Sequence, residues 1–149
     1  KLAEGRAKAG RRPMKLERVL ECLFLPLFRV QADPKVGPAF SRLIGRVLFD
    51  RNANLQKFMM SELAEVIPQF SAALDAALPG LAKEETDWRS HFMAGAMAHT
   101  LCNADLLVKF TGTQFDPLSY ETTVRRLIGF TAAGCRAKVS LATHPGKKK

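Results

Sequence analysis

Long hydrophobic runs are missing from these 149 residues. A membrane helix needs roughly 18 uninterrupted apolar residues. The best stretch, from Met93 to Leu107, is broken by His99, Asn103 and Asp105, so no membrane partner is expected. No signal-peptide core follows the basic start KLAEGRAKAGRRP, and a cytoplasmic location is expected. Cysteine is scarce: Cys22, Cys102 and Cys135 are odd in number and widely spaced. That excludes a disulfide framework and suits buried thiols in a reducing compartment. Strand-like alternation is lacking throughout. So are G-x-S-x-G, H-E-x-x-H, C-x-x-C and any phosphate-binding loop, and no catalytic role is assigned. Acids are the scarcer charge, with 14 Asp and Glu against 23 Lys and Arg, a net charge of +9. The excess sits at the ends. Residues 1–18 hold seven Lys/Arg against two Glu, and residues 136–149 hold five Lys/Arg and no acid. The body between is close to neutral. Charge at chain ends reads as solvated tails rather than a folded nucleic-acid patch.

What is present is apolar spacing at the helical period. Apolar content is 47%, enough for one packed domain. The first helix is expected from about Pro13. It carries a stripe of Leu16, Val19, Leu20, Leu23, Phe24, Leu27 and Phe28, with Pro26 as an internal kink. The prolines and glycine of 32–38 end it. A second helix is expected over about 38–50 and a third over about 55–78, with Pro68 as a second internal kink. Pro79 and Gly80 stop the third. A fourth runs from about 82 to 110, with Glu84, Glu85 and Asp87 in its first turns, and a fifth covers about 118–138. The fold class is all-α, a bundle of about five main helices.

The last two helices are the most informative. The fourth is apolar on two sides. Trp88, Phe92, Gly95, His99 and Cys102 gather on one, and Met93, Met97, Leu101, Ala104 and Val108 on the other. A helix apolar nearly all round must be buried nearly all round. The fifth presents Val124, Leu127, Ile128, Thr131 and Cys135 on one face. Either both helices lie central in one chain, or they pair with a second copy into a four-helix interface; the second is expected. Gly95, Met97 and Leu101, with the face Val124, Leu127, Ile128, Thr131 and Cys135, are the candidate interface residues.

His99 and Cys102 are three apart and share a helix face. His91 lies eight residues from His99, about 12 Å along the axis, too far to join them at one ion. No metal and no cofactor is expected. Phe24, Phe28, Phe40, Phe49, Phe58 and Phe70, with Met59 and Met60, suit either a core or the wall of an apolar cavity.

Taken in order, KLERVLECLFLPLFRV, GPAFSRLIGRVL, LQKFMMSELAEVIPQF, WRSHFMAGAMAHTL and YETTVRRLIGFTAAGCRA resemble the C-terminal domain of TetR-type transcriptional regulators. The resemblance covers about residues 14–137, and the stretch from Trp88 to Gly95 carries it best. It implies a domain that binds a small effector and dimerises through its last two helices. An N-terminal helix-turn-helix domain would read operator DNA, and effector binding would release the operator. Residues 1–13 then read as a basic linker from a DNA-binding domain not contained in this sequence, 14–138 as the effector-binding and dimerisation domain, and 139–149 as a basic disordered tail. Starting at Lys1, the chain is expected to lack segments upstream and not to bind operator DNA by itself. The resemblance also favours a cavity. Its candidate wall is Phe24, Phe28, Phe58, Met59, Phe70 and Phe92, with His91, His99 and Asn103 as polar contacts to an apolar or amphipathic effector. The alternative is a stand-alone helical protein-interaction module.

Overall fold

A computed structural model describes residues 13–49, 52–112 and 119–138. The expected linker 1–13, Pro13 apart, and the expected tail 139–149 lie outside the described residues. Among the described residues the fold is all-helical, with six helices and no strand.

Helix α1 (Leu16–Gln31) carries the apolar stripe read from the sequence: Leu16, Val19, Leu20, Phe24 and Phe28 are all buried. It continues through Pro26 for more than a turn. Glu17 in its first turn and Arg29 in its last complement the helix dipole. An Asx turn follows. Asp33 Oδ1 accepts from the amides of Lys35 (2.8 Å) and Val36 (3.2 Å). Helix α2 (Gly37–Phe49) begins there. A Cβ on Gly37 would lie 1.9 Å from the carbonyl oxygen of Gln31, so the tight return admits glycine alone.

The expected third helix is two. Helix α3 (Ala53–Glu62) is capped by Asn52, whose side chain accepts from the amides of Asn54 and Leu55. Helix α4 (Val66–Ala77) starts after a break at residues 63–65. Pro68 therefore sits in the first turn of α4 and kinks nothing. At that position its missing N–H has no helical partner to lose, whereas inside a continuous helix it would remove a bond and crowd the preceding turn. Helix α3 buries no residue, so no core contact holds it in line with α4. Gly80, at φ +88°, turns the chain toward the next helix.

Helix α5 (Lys83–Thr111) is 29 residues, about 44 Å at 1.5 Å per residue. Its backbone leaves helical geometry at Asn103 (φ −136°, ψ 27°), a break the sequence reading did not include. The contact with α2 lies beside it. Ser41 Oγ donates to the Leu101 carbonyl (3.2 Å), and Cys102 Sγ donates to the Ser41 carbonyl (3.4 Å). A side chain engaging the helical ladder is a recognised cause of such a break. Gly112, at φ +63°, closes α5 with its amide on the Val108 carbonyl. Helix α6 (Tyr120–Arg136) completes the bundle.

The core forms around α1, which packs most extensively against α6 and also against α4, α2 and α5. Leu20, Phe24, Leu74 and Val124 are almost wholly buried there.

Candidate functional site

Helices α5 and α6 lie side by side and antiparallel. Arg89, Phe92, Met93 and Ala96 from the start of α5 line a groove with Thr131, Gly134 and Cys135 from the end of α6. The later residues of α5 line a second depression with the early residues of α6. Phe130 belongs to both.

The outer side of this pair is apolar and open. Trp88 is 53% exposed, Phe92 64%, Leu107 51%, Phe110 82% and Phe130 72%. Trp88 stacks on Phe92 with ring centroids 5.7 Å apart, and His91 meets Trp88 edge-on at 6.1 Å. The same two helices carry the exposed Gly95, Gly129 and Gly134, and Gly134 lines the groove with Phe92 and Phe130. A Cβ built on any of the three meets nothing within 4 Å, so another backbone can approach closely.

The larger depression has a volume of about 420 Å³. Leu106, Leu107 and Phe110 of α5 and Leu127 and Phe130 of α6 form its apolar walls. His99, Thr100, Asn103, Thr123 and Arg126 supply its polar groups. The break at Asn103 falls on this wall.

A buried cation fixes the other end of the helix pair. Arg89 is 7% exposed. Its Nε donates to Glu85 Oε1 (2.9 Å), Nη1 to the Cys135 carbonyl, and Nη2 to the Ala137 carbonyl (2.8 Å). It thus caps the C-terminus of α6 from the first turns of α5. Arg136 extends the tie to α1, meeting both carboxylate oxygens of Glu17 at 2.6 and 2.9 Å. That bidentate pair pulls the Glu17 pKa from 4.5 down to about 2.

The sequence-derived candidates fall into separate places. His99 and Asn103 meet in the cleft. Phe92 lines the neighbouring groove, and His91 joins the aromatic cluster on the same helix. Phe24, Phe28 and Phe70 are buried in the core, and Phe58 and Met59 lie on α3. Of the interface candidates, Gly95 is exposed on α5 and Met97 is half-buried against the core. Leu101, Val124, Leu127, Ile128, Thr131 and Cys135 are buried within the chain itself. The open side of α6 is the opposite one, around Gly129, Phe130 and Ala133. His99 and Cys102 do not converge, because the thiol bonds to α2 while His99 lines the cleft. Burial raises the pKa of the Cys102 and Cys135 thiols, which keeps them protonated and poorly nucleophilic.

Arg126 and Phe130 were not singled out from the sequence. Their signal was an aromatic one turn beyond an arginine, on the side of α6 that otherwise reads as polar.

Residues 21–134 match the family model of the tetracyclin repressor-like C-terminal domain. Comparison with curated proteins and with solved structures found no match. No helix among the described residues is long and apolar enough to cross a membrane. The matched span covers most of the chain, which therefore belongs to the tetracyclin repressor-like C-terminal domains, a regulatory and non-enzymatic family.

Proposed function

We propose that this chain is the sensing half of a cytoplasmic transcriptional repressor. It pairs with a second copy through the outer side of α5 and α6. A small apolar or amphipathic effector occupies the cleft between those helices. Its binding controls operator release through an N-terminal DNA-binding domain.

The observation that carries the pairing is the aromatic side shared by α5 and α6, with Phe130 at its centre. Contiguous exposed apolar surface of this kind marks an interaction site. The family membership supports a second copy as the partner. The glycines at 95, 129 and 134 leave room for close contact. Leu101, Val124, Leu127, Ile128, Thr131 and Cys135 then support the face from beneath rather than forming it. For the effector, the supporting features are the cleft's volume, which falls in the usual range of about 300–1,000 Å³, and its apolar walls with a few polar groups.

Sedimentation equilibrium tests the pairing. The wild-type chain is expected at twice its 16.5 kDa mass, and Phe130→Glu at the single mass. Phe130 is largely solvent-exposed, so the variant should keep its helical content. A wild-type monomer at micromolar concentration, or an unchanged Phe130→Glu dimer, refutes the arrangement.

A further inference from the structure

The two ends of the α5–α6 pair carry opposite chemistry. At the start of α5, Glu84, Asp87, Trp88 and His91 line an open depression of about 560 Å³. Two of the acids there are already engaged: Glu85 by Arg89 and Asp87 by Lys83. Glu84 is exposed and has no ion-pair partner among the described residues. It lies four residues ahead of Trp88, which lies four ahead of Phe92, so the three share one row of the helix. An unpaired carboxylate beside an indole ring is a receptor for a cation. At the other end of the pair, near the start of α6, Arg125 is exposed and also has no ion-pair partner among the described residues. It shares a row with Gly129 and Ala133, whose small side chains leave a neighbouring helix room to approach.

We propose that the cation is Arg125 of a second copy, seated against Trp88 and Glu84, and that this contact sets the two α6 helices antiparallel in the pair. This rests on the reading that the outer side of α5 and α6 is the pairing face. Arg89 binds the carbonyls of Cys135 and Ala137, so its neighbour Trp88 stands level with that end of α6. Phe130, common to both depressions, lies midway. Cys135 is five residues beyond it and Arg125 five before it, each about 7.5 Å along the axis. A two-fold axis crossing α6 at Phe130 therefore brings Arg125 of each copy level with Trp88 of the other. An axis running along α6 would instead set Arg125 against Arg125 and Glu84 against Glu84, and like charges repel. A guanidinium suits the receptor because its plane stacks on an aromatic face while its N–H groups donate to a carboxylate. The symmetry makes the contact twice.

Sedimentation equilibrium on charge-exchanged variants tests this. Arg125→Glu and Glu84→Arg, each alone, are expected to weaken pairing by about tenfold, the factor that 1.4 kcal/mol corresponds to, spread over the two symmetric contacts. Mixed in equal amounts, the two variants should pair as the wild type does. Their heterodimer has one native contact and one with the charges exchanged. Both positions are exposed, so the helical content of each variant should be unchanged. Trp88 is the chain's single tryptophan, so its emission should shift to longer wavelength as the wild-type pair dissociates on dilution. A mixture that pairs as weakly as its components overturns the assignment, as does either variant pairing like the wild type or an emission indifferent to dissociation. If the wild type is still a dimer that Phe130→Glu breaks, the pairing face stands and only the Arg125–Trp88 contact is lost. A monomeric wild type removes both.

Discussion

Replacing Arg89 with methionine should destabilise the chain by about 3 kcal/mol. The methionine keeps much of the aliphatic stem, so the loss is chiefly polar. Hydrogen bonds to a charged donor are worth about 1.5–3 kcal/mol each when buried. The Cys135 carbonyl lies at a buried residue and should suffer most of that loss. Ala137 is exposed, so water can replace part of its bond. The Glu85 side chain is 27% exposed and is only partly orphaned. About 2 kcal/mol from the first and about 1 from the other two together gives the sum. In a chain of this size, 1 kcal/mol shifts the Tm by roughly 2–4 °C, so the midpoint should fall by roughly 6–12 °C. Urea titration monitored at the far-ultraviolet helix signal gives the free energy directly. Arg89→Lys should fall between, since an ammonium cannot span both carbonyls and Glu85 as the fork does. Arg18→Met, which breaks the exposed Arg18–Glu21 pair, is the control and should cost far less, because solvent screens that pair. If Arg89→Met loses no more than that control, the cap does not hold α6 in place and the reasoning fails.

Gly95→Leu should leave the isolated fold intact or improve it by somewhat under 1 kcal/mol, since leucine is the better helix former and the space above Gly95 is open. The same change should weaken self-association in sedimentation experiments, and unchanged association would place Gly95 away from the pairing face. Phe28→Ala should cost about 3–5 kcal/mol and Phe58→Ala less than about 1, because the first side chain is 2% exposed and the second 58%; comparable losses in urea would contradict that placement. The Glu17 carboxyl has a lower pKa in the folded chain than its ordinary 4.5. Its stabilising effect is therefore full above that value and disappears as pH falls toward 2. Side chains 43% and 51% exposed keep the effect below about 1 kcal/mol. Arg136→Gln should flatten that part of the stability–pH curve, and an unaltered acid limb would contradict the pairing.

Most of the architecture was readable from apolar spacing. Helix α1 could be placed from Leu16, Val19, Leu20, Phe24 and Phe28, because one uninterrupted stripe meets one core. The division of 55–78 into α3 and α4 was harder to see. Proline inside an apolar pattern signals either a kink or a first turn, and only the absence of buried contacts on α3 decides between them. The break at Asn103 has a partner sixty residues away in sequence, Ser41 against Leu101, and no local window contains it. Of the candidate cleft, two polar residues had been named from the sequence. His99 and Asn103 stood out as polar residues on an apolar helix, and both line the cleft. Phe24 and Phe28 have the composition of a cavity wall and the burial of a core, two states that residue type does not distinguish. The stripe from Val124 to Cys135 correctly indicated burial without indicating what does the burying. Helix α1 covers it from within the same chain.

That last arrangement bears on how the protein is made. The first described helix finds its chief packing partner in the last, and the Glu17–Arg136 bond spans 119 positions of sequence. A ribosome releases the early stripe long before its chief cover exists. Until α6 emerges, the stripe that includes Leu20 and Phe24 lacks its most extensive partner, although α2, α4 and α5 precede it. A nascent chain of this design depends on protection during synthesis, and premature termination anywhere ahead of α6 would leave a sticky fragment suited to degradation rather than a partly working domain.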